Sequence, residues 1–131
     1  MDRYTVSSGT EWESTVGYSR AVRAGSQIHV AGTTATDEDG NVVAPDDPYR
    51  QTERALELVA DALEEAGAGL EDVVRTRIYV TDIDDWEAIG RAHGEVFGDI
   101  RPATSMVEVQ RLIGPDHRVE IEAVAIADDG R

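Results

Sequence analysis

The residues of this 131-residue chain that could act on a small molecule gather at the ends of short β-like runs rather than in one contiguous motif. Gly32, Thr33 and Thr34 close one run, and Arg101, Thr104 and Ser105 open another. Glu120 lies inside the last run, and Tyr18 and Arg20 inside the second. A glycine beside threonines lets backbone N–H groups approach a ligand closely. An arginine can hold a carboxylate through two parallel hydrogen bonds. A glutamate can orient or deprotonate a water. The same residues would serve equally well for edge and interface packing with exposed charge, so residue types alone leave both readings open.

Other chemistries find less support. The chain has no cysteine, which excludes disulfides, thiolate metal sites and a cysteine nucleophile. His29, His93 and His117 are isolated, with no HxH or HExxH spacing, so no metal site is expected. His93 falls on the apolar stripe of a helix and is expected in a core or interface. His117 falls in a turn and is expected to be solvated. His29 alternates with Ile28 and Val30, which turns it to the less apolar face of its strand, where it could line a site. The segment GAGLED lacks a lysine and follows a helix, which makes it a cap and turn rather than a phosphate loop. The hydroxyls of SSG and AGTT have no paired histidine, so a Ser-His-Asp arrangement has nothing specific behind it.

Charge is the strongest compositional signal. Aspartate and glutamate number 27 against 12 basic residues, for a formal net charge of −15, and every basic residue is an arginine. A surface this acidic repels phosphate backbones, so nucleic acid is not an expected partner. It suits solubility in concentrated salt, where ions screen the self-repulsion, and so suggests a salt-loving host. Hydrophobic residues make up 40% of the chain in strongly periodic patterns, which argues against acidic disorder. The first residues, MDRYTVSSGTEWES, are polar and acidic, unlike a signal peptide. No apolar run approaches the ~18 residues of a membrane span. A cytoplasmic protein without a membrane partner is the expectation.

The length fits a single domain spanning residues 1–131. Residues 3–8 predict a short strand, and SGTEWESTVG has turn composition. Tyr18–Gly25 and Ser26–Ala35 predict two strands around a type II′ turn at Gly25-Ser26. Asp47 followed by Pro48 predicts a helix N-terminus; Ala55, Leu56, Val59, Ala60 and Leu63 form its apolar face, and Gly67 closes it. VVRTRIYVTDI predicts a strand with Thr76, Ile78 and Val80 on one side and Arg77, Tyr79 and Thr81 on the other. A second helix is expected to begin at Asp84, paired with Glu87 in the manner of a capping box, and to end at Gly98. Its apolar stripe is Trp86, Ile89, His93, Val96 and Phe97. TSMVEVQRL and RVEIEAVAIA predict the last strands, and ADDGR a tail. The order β-β-β-α-β-α-β-β implies an α+β fold: a single mixed sheet of about six strands with two helices packed on one face. Glutamates alternate with aliphatic residues in the last two strands. The uncovered face would then meet solvent or another subunit, and an oligomer is expected.

Taken in order, VGYSRAV, IHVAGTTA, GLEDVVRTRIYVTDIDDWEAI, RPATSMVEVQRL and VEIEAVA resemble the RidA/YjgF family of reactive intermediate and imine deaminases, from about Val16 to Ile126. The resemblance implies a chorismate-mutase-like fold and a homotrimer with clefts between subunits. It implies cofactor-independent hydrolysis of small enamine or imine metabolites. Within it, Tyr18 corresponds to the tyrosine lining the cleft, Gly32 to the glycine beside the ligand, and Glu120 to the glutamate that orients the attacking water. The departure is at Thr104: deaminating members read P-A-R-S where this chain reads Pro102-Ala103-Thr104-Ser105. Losing an arginine that pairs with a substrate carboxylate would cost ~2–4 kcal/mol of binding. That corresponds to roughly 30- to 1,000-fold in affinity. Arg101 and Arg20 are the candidates to replace the charge. An altered substrate preference follows, with a non-catalytic metabolite-binding module as the alternative.

Overall fold

A computed structural model describes residues 2–128, so part of the tail expected at 127–131 lies outside the described residues. The elements in chain order are β1 (Arg3–Val6), α1 (Glu11–Val16), β2 (Ala21–Ala24), β3 (Gln27–Thr33), α2 (Pro48–Glu65), β4 (Val73–Val80), α3 (Trp86–Phe97), β5 (Ala103–Glu108) and β6 (Val119–Ile126). The strands form one six-stranded sheet in the order β1-β2-β3-β6-β4-β5. Only β4 and β5 run parallel; the other neighbours are antiparallel. The long helices α2 and α3 pack on one face, as the sequence pattern predicts.

Local chemistry accounts for most of these boundaries. The β2–β3 hairpin turns through Gly25-Ser26, with φ of +62° at Gly25, the backbone that a type II′ turn requires at its first central position. The Asp47 carboxylate accepts from the Arg50 N–H, and Pro48 occupies the first helical position of α2. At the other end, Gly67 (φ +82°) donates to Glu64 O, and Ala68 donates to Leu63 O, a Schellman closure. Ala55, Leu56, Val59 and Leu63 face inward and are fully buried. Burial of each leucine contributes about 1.5–3 kcal/mol. Beneath them lie Ile28 and Val30 of β3, Ile78 and Val80 of β4, and Val119, Ile121 and Ala123 of β6.

Gln51 of α2, wholly buried, ties the helix to the loops above it. Its Nε2 donates to the carbonyls of Ala44 (3.2 Å) and Asp116 (3.0 Å), and its Oε1 accepts from the Arg118 N–H at 2.7 Å. This clamp explains one correction. His117, expected in solvent, is 8% exposed, because the loop before β6 is drawn down onto α2. Burial pushes the His117 imidazole below its ordinary pKa, with Asp116 opposing the shift.

Four further expectations change. The segment read as a turn contains α1, whose Glu13 folds back to accept from the Ser8 N–H and from the hydroxyls of Ser8 and Thr10. Gly17 ends α1 at φ +87°, and β2 begins only at Ala21, so Tyr18 and Arg20 precede the strand rather than lie in it. The second helix is capped earlier than predicted: Asp82, not Asp84, accepts a backbone N–H and starts a 3₁₀ turn, and α3 begins at Trp86. Trp86 is 56% exposed and does not belong to the apolar stripe. At the far end of α3, Gly98 keeps right-handed helical geometry, and the chain reverses at Arg101 (φ +56°).

Candidate functional site

The sheet divides the sequence-predicted residues between its two faces. Cross-strand partners share a face, and residues alternate along each strand. Thr76, Ile78 and Val80 of β4 point to the helices, paired with Ala123, Ile121 and Val119 of β6. Tyr79 pairs with Glu120, and Arg77 with Glu122, so both glutamates stand on the face without helices. Thr104 pairs with Thr76 and therefore shares the helix-covered face. Glu120 lies three residues from the Thr76 partner Ala123, two strands away from Thr104. Their backbones are thus roughly 14 Å apart, from strand spacing and rise.

On the open face, Glu120, Gly32, Arg20 and Tyr18 come together. The register between β3 and β6 slips by one residue between Val30 and Thr33, a bulge that carries Ala31 and Gly32 out of the ladder. The bulge brings the Gly32 backbone against the Glu120 side chain, where a Cβ on residue 32 would lie 2.9 Å from the Glu120 carboxyl carbon and collide with a carboxylate oxygen. The Arg20 guanidinium donates to the Gly32 carbonyl at 2.6 Å and lies 5.7 Å from the centre of the Tyr18 ring. Burial pushes the half-buried Glu120 carboxyl above the usual carboxylate range; Arg20 opposes this, and Glu122 reinforces it. Glu122 is itself held by the Tyr79 hydroxyl (2.8 Å) and by Arg77 (3.2 Å). A concavity of about 420 Å³ beside this corner takes in Tyr18, His29, Arg75, Arg77 and Glu122, but neither Gly32 nor Glu120.

The helix-covered side carries a different arrangement. Thr104 Oγ1 lies 2.7 Å from Thr76 Oγ1, which lies 2.9 Å from His93 Nε2 on α3. Thr104 Oγ1 also lies 3.2 Å from the Pro102 carbonyl. His93 packs on Phe97 with ring centroids 4.7 Å apart, and burial pushes its pKa below the ordinary value. Burial thus favours the uncharged form of the imidazole in this hydroxyl–hydroxyl–imidazole series. The sequence places His93 in a core or interface but gives no sign that it hydrogen-bonds towards Thr104, because that contact depends on the parallel register of β4 and β5.

The remaining predicted residues are placed plainly. Thr33 is buried on the helix-covered side and donates to Ala31 O at 2.7 Å, so its hydroxyl serves the bulge. Ser105 is exposed on the open face, with Arg75 Nη2 3.5 Å away. Arg101 is exposed, and its left-handed backbone is unusual for a residue preceding proline. Arg20 is the cation that the structure puts beside Glu120. His29 lines the concavity, its ring 3.2 Å from Gln27 Oε1. Among the described residues no group of acidic or histidine side chains is arranged to hold a metal ion, and no helix is long and apolar enough to cross a membrane.

A six-stranded mixed sheet with two long helices on one face and a polar opposite face is the chorismate-mutase-like α+β architecture. Residues 9–127 match the family described as Endoribonuclease L-PSP, and the chain belongs to that family, whose members also carry the names YjgF and RutC. Rv2704 from Mycobacterium tuberculosis, described as a member of the highly conserved YjgF/YER057c/UK114 family, is 55% identical with a TM-score of 0.88, covering 96% of this chain and 100% of that one. A RutC family protein of Pyrococcus abyssi is 39% identical over 108 residues, 82% of this chain and 84% of its own. TdcF from E. coli, solved with bound serine, is 28% identical with a TM-score of 0.78, covering 85% of this chain and 88% of that one.

Proposed function

We propose that this protein hydrolyses small reactive enamines or imines in a cleft completed by a second copy of the chain, as part of a homotrimer. The observation that carries this reading is the Glu120 carboxylate, half-buried against the bare backbone of Gly32 and beside Arg20. An enamine first tautomerises to its imine. Water then adds to the imine carbon while Glu120 holds it and receives its proton. Return of that proton to nitrogen gives the carbinolamine; Glu120 then relays the hydroxyl proton to the same nitrogen, so that the C–N bond breaks, the carbonyl forms and ammonia leaves. A carboxylate with a raised pKa is better matched to taking and returning a proton near neutrality than an ordinary one. No cofactor is required for these steps.

The two-face arrangement supports the intersubunit cleft: Thr104 and Glu120 of one chain point to opposite sides of the sheet and cannot flank one small ligand. Purified protein is expected to accelerate ammonia release from freshly generated 2-aminoacrylate or an uncharged relative, with Glu120→Gln lowering the rate by about 100-fold or more. No acceleration across such a panel, at low or high salt, would refute the reading.

A second reading, a metabolite-binding module without turnover, draws on the neutral hydroxyl at position 104 and on the serine bound by TdcF. A metabolite that raises the melting temperature and is recovered unchanged would favour it. The family description points to RNA, but a net charge of −15 weighs against a polyanionic substrate.

A further inference from the structure

The surroundings of Thr104 decide what its hydroxyl can offer a ligand. A threonine hydroxyl has one hydrogen and two lone pairs. Two proton arrangements satisfy the chain from Thr104 through Thr76 to His93. Where His93 Nε2 is bare, Thr76 donates to it and Thr104 donates to Thr76. Where Nε2 carries hydrogen, His93 donates to Thr76, Thr76 donates to Thr104, and Thr104 donates to the Pro102 carbonyl. In the first the single hydrogen of Thr104 is used on Thr76 and in the second on the Pro102 carbonyl, so a ligand acceptor reaches it only by displacing one of these bonds, whereas in both at least one lone pair is left over. The residue is exposed, so that lone pair is accessible.

We propose that position 104 acts as a hydrogen-bond acceptor and selects neutral ligands bearing an N–H or O–H donor, such as primary amides, over carboxylates. This rests on the cleft reading above and names the substrate class of that site. His93 and Thr76 are positioning residues: they fix the direction of the Thr104 hydroxyl without touching the ligand. A carboxylate offers only acceptors, so against an acceptor oxygen it is left unpaired and repelled. Arg20 gives one N–H to the Gly32 carbonyl and sets its charge against Glu120, on the sheet face opposite Thr104, so within one chain it places no cation beside the Thr104 hydroxyl.

Calorimetric titration of the full chain with pyruvamide and pyruvate, which differ only in amide against carboxylate, tests this. Wild type is expected to bind pyruvamide about tenfold or more tightly than pyruvate. Thr104→Val should bring the two within about threefold, and Thr104→Arg should reverse the order. Thr76→Ser should keep the ratio and Thr76→Val reduce it, with the ¹⁵N shifts of the His93 ring moving only in the valine variant. Equal binding, preference for pyruvate, an unchanged ratio in Thr104→Val, or no binding of either probe at tens of millimolar overturns the proposal. Pyruvate binding lost in Arg101→Gln would assign the missing charge to Arg101 and overturn it as well. Absent ammonia release with the ratio intact defeats the deaminase reading alone; ammonia release with the ratio lost defeats only this one.

Discussion

The corner around Glu120 and the corner around Thr104 lie on opposite faces of one sheet and reach stability by different routes. At the first, a carboxylate is drawn out of water against a glycine, and only Arg20 offsets the cost of its charge. At the second, hydroxyl, hydroxyl and imidazole satisfy one another without any charge. The first stores electrostatic tension, which suits the proton-transfer role proposed for it. The second is a satisfied polar network, which fixes geometry. Under the proposed function this is a division of labour, in which one corner moves protons and the other selects what is bound.

The sharpest way to break the comparison is Gly32→Ala. The added methyl meets the Glu120 carboxyl, so it is expected to abolish at least about 99% of ammonia release and to cost about 1–3 kcal/mol of stability. Activity assay and thermal unfolding check both, and a fully active alanine variant would detach Glu120 from the chemistry. Thr76→Val should show the converse. Thr76 is fully buried, so loss of its hydroxyl is expected to destabilise the protein by about 1–3 kcal/mol in denaturant titration, while Glu120-dependent turnover per folded molecule stays within about threefold.

The smallest effect is the pH dependence of stability. Burial raises the folded-state pKa of Glu120 above its unfolded value, so the folded protein holds the extra proton. The stability contributed by this group is present below the unfolded pKa and is lost as pH rises through the raised folded one. Glu120→Gln should remove that loss and increase stability near pH 7 by about 0.5–1 kcal/mol, with little change near pH 3. Melting curves across that range would show it, and a destabilised glutamine variant at neutral pH would mean that the carboxylate is not under tension.

The sequence made the long elements legible because each carries its own signal: Asp47-Pro48 and Gly67 bound α2, and Thr76, Ile78 and Val80 alternate along β4. It concealed α1, because six residues give no helical period and their cap is made by Glu13 reaching back to Ser8. The burial of His117 leaves no local mark, because Gln51, far away in the chain, pulls its loop inward. Gly32, Glu120 and Arg20 were recognisable as candidates one by one. Their meeting depends on a bulge in β3 that leaves no compositional mark. The link from Thr104 to His93 depends on a parallel register, which a single strand does not encode.

The Gln51 clamp also bears on motion. Arg118, whose N–H it holds, stands two residues before Glu120. For the start of β6 to slide or fray, a buried amide must give up its bonds to two backbone groups of the loop that leads into the strand, the Asp116 carbonyl and the Arg118 N–H. Local opening of β6 is thereby coupled to opening of α2, one of the least exposed parts of the molecule. The backbone beneath Glu120 is thus expected to open no more readily than the core, although its carboxylate lies on the open face.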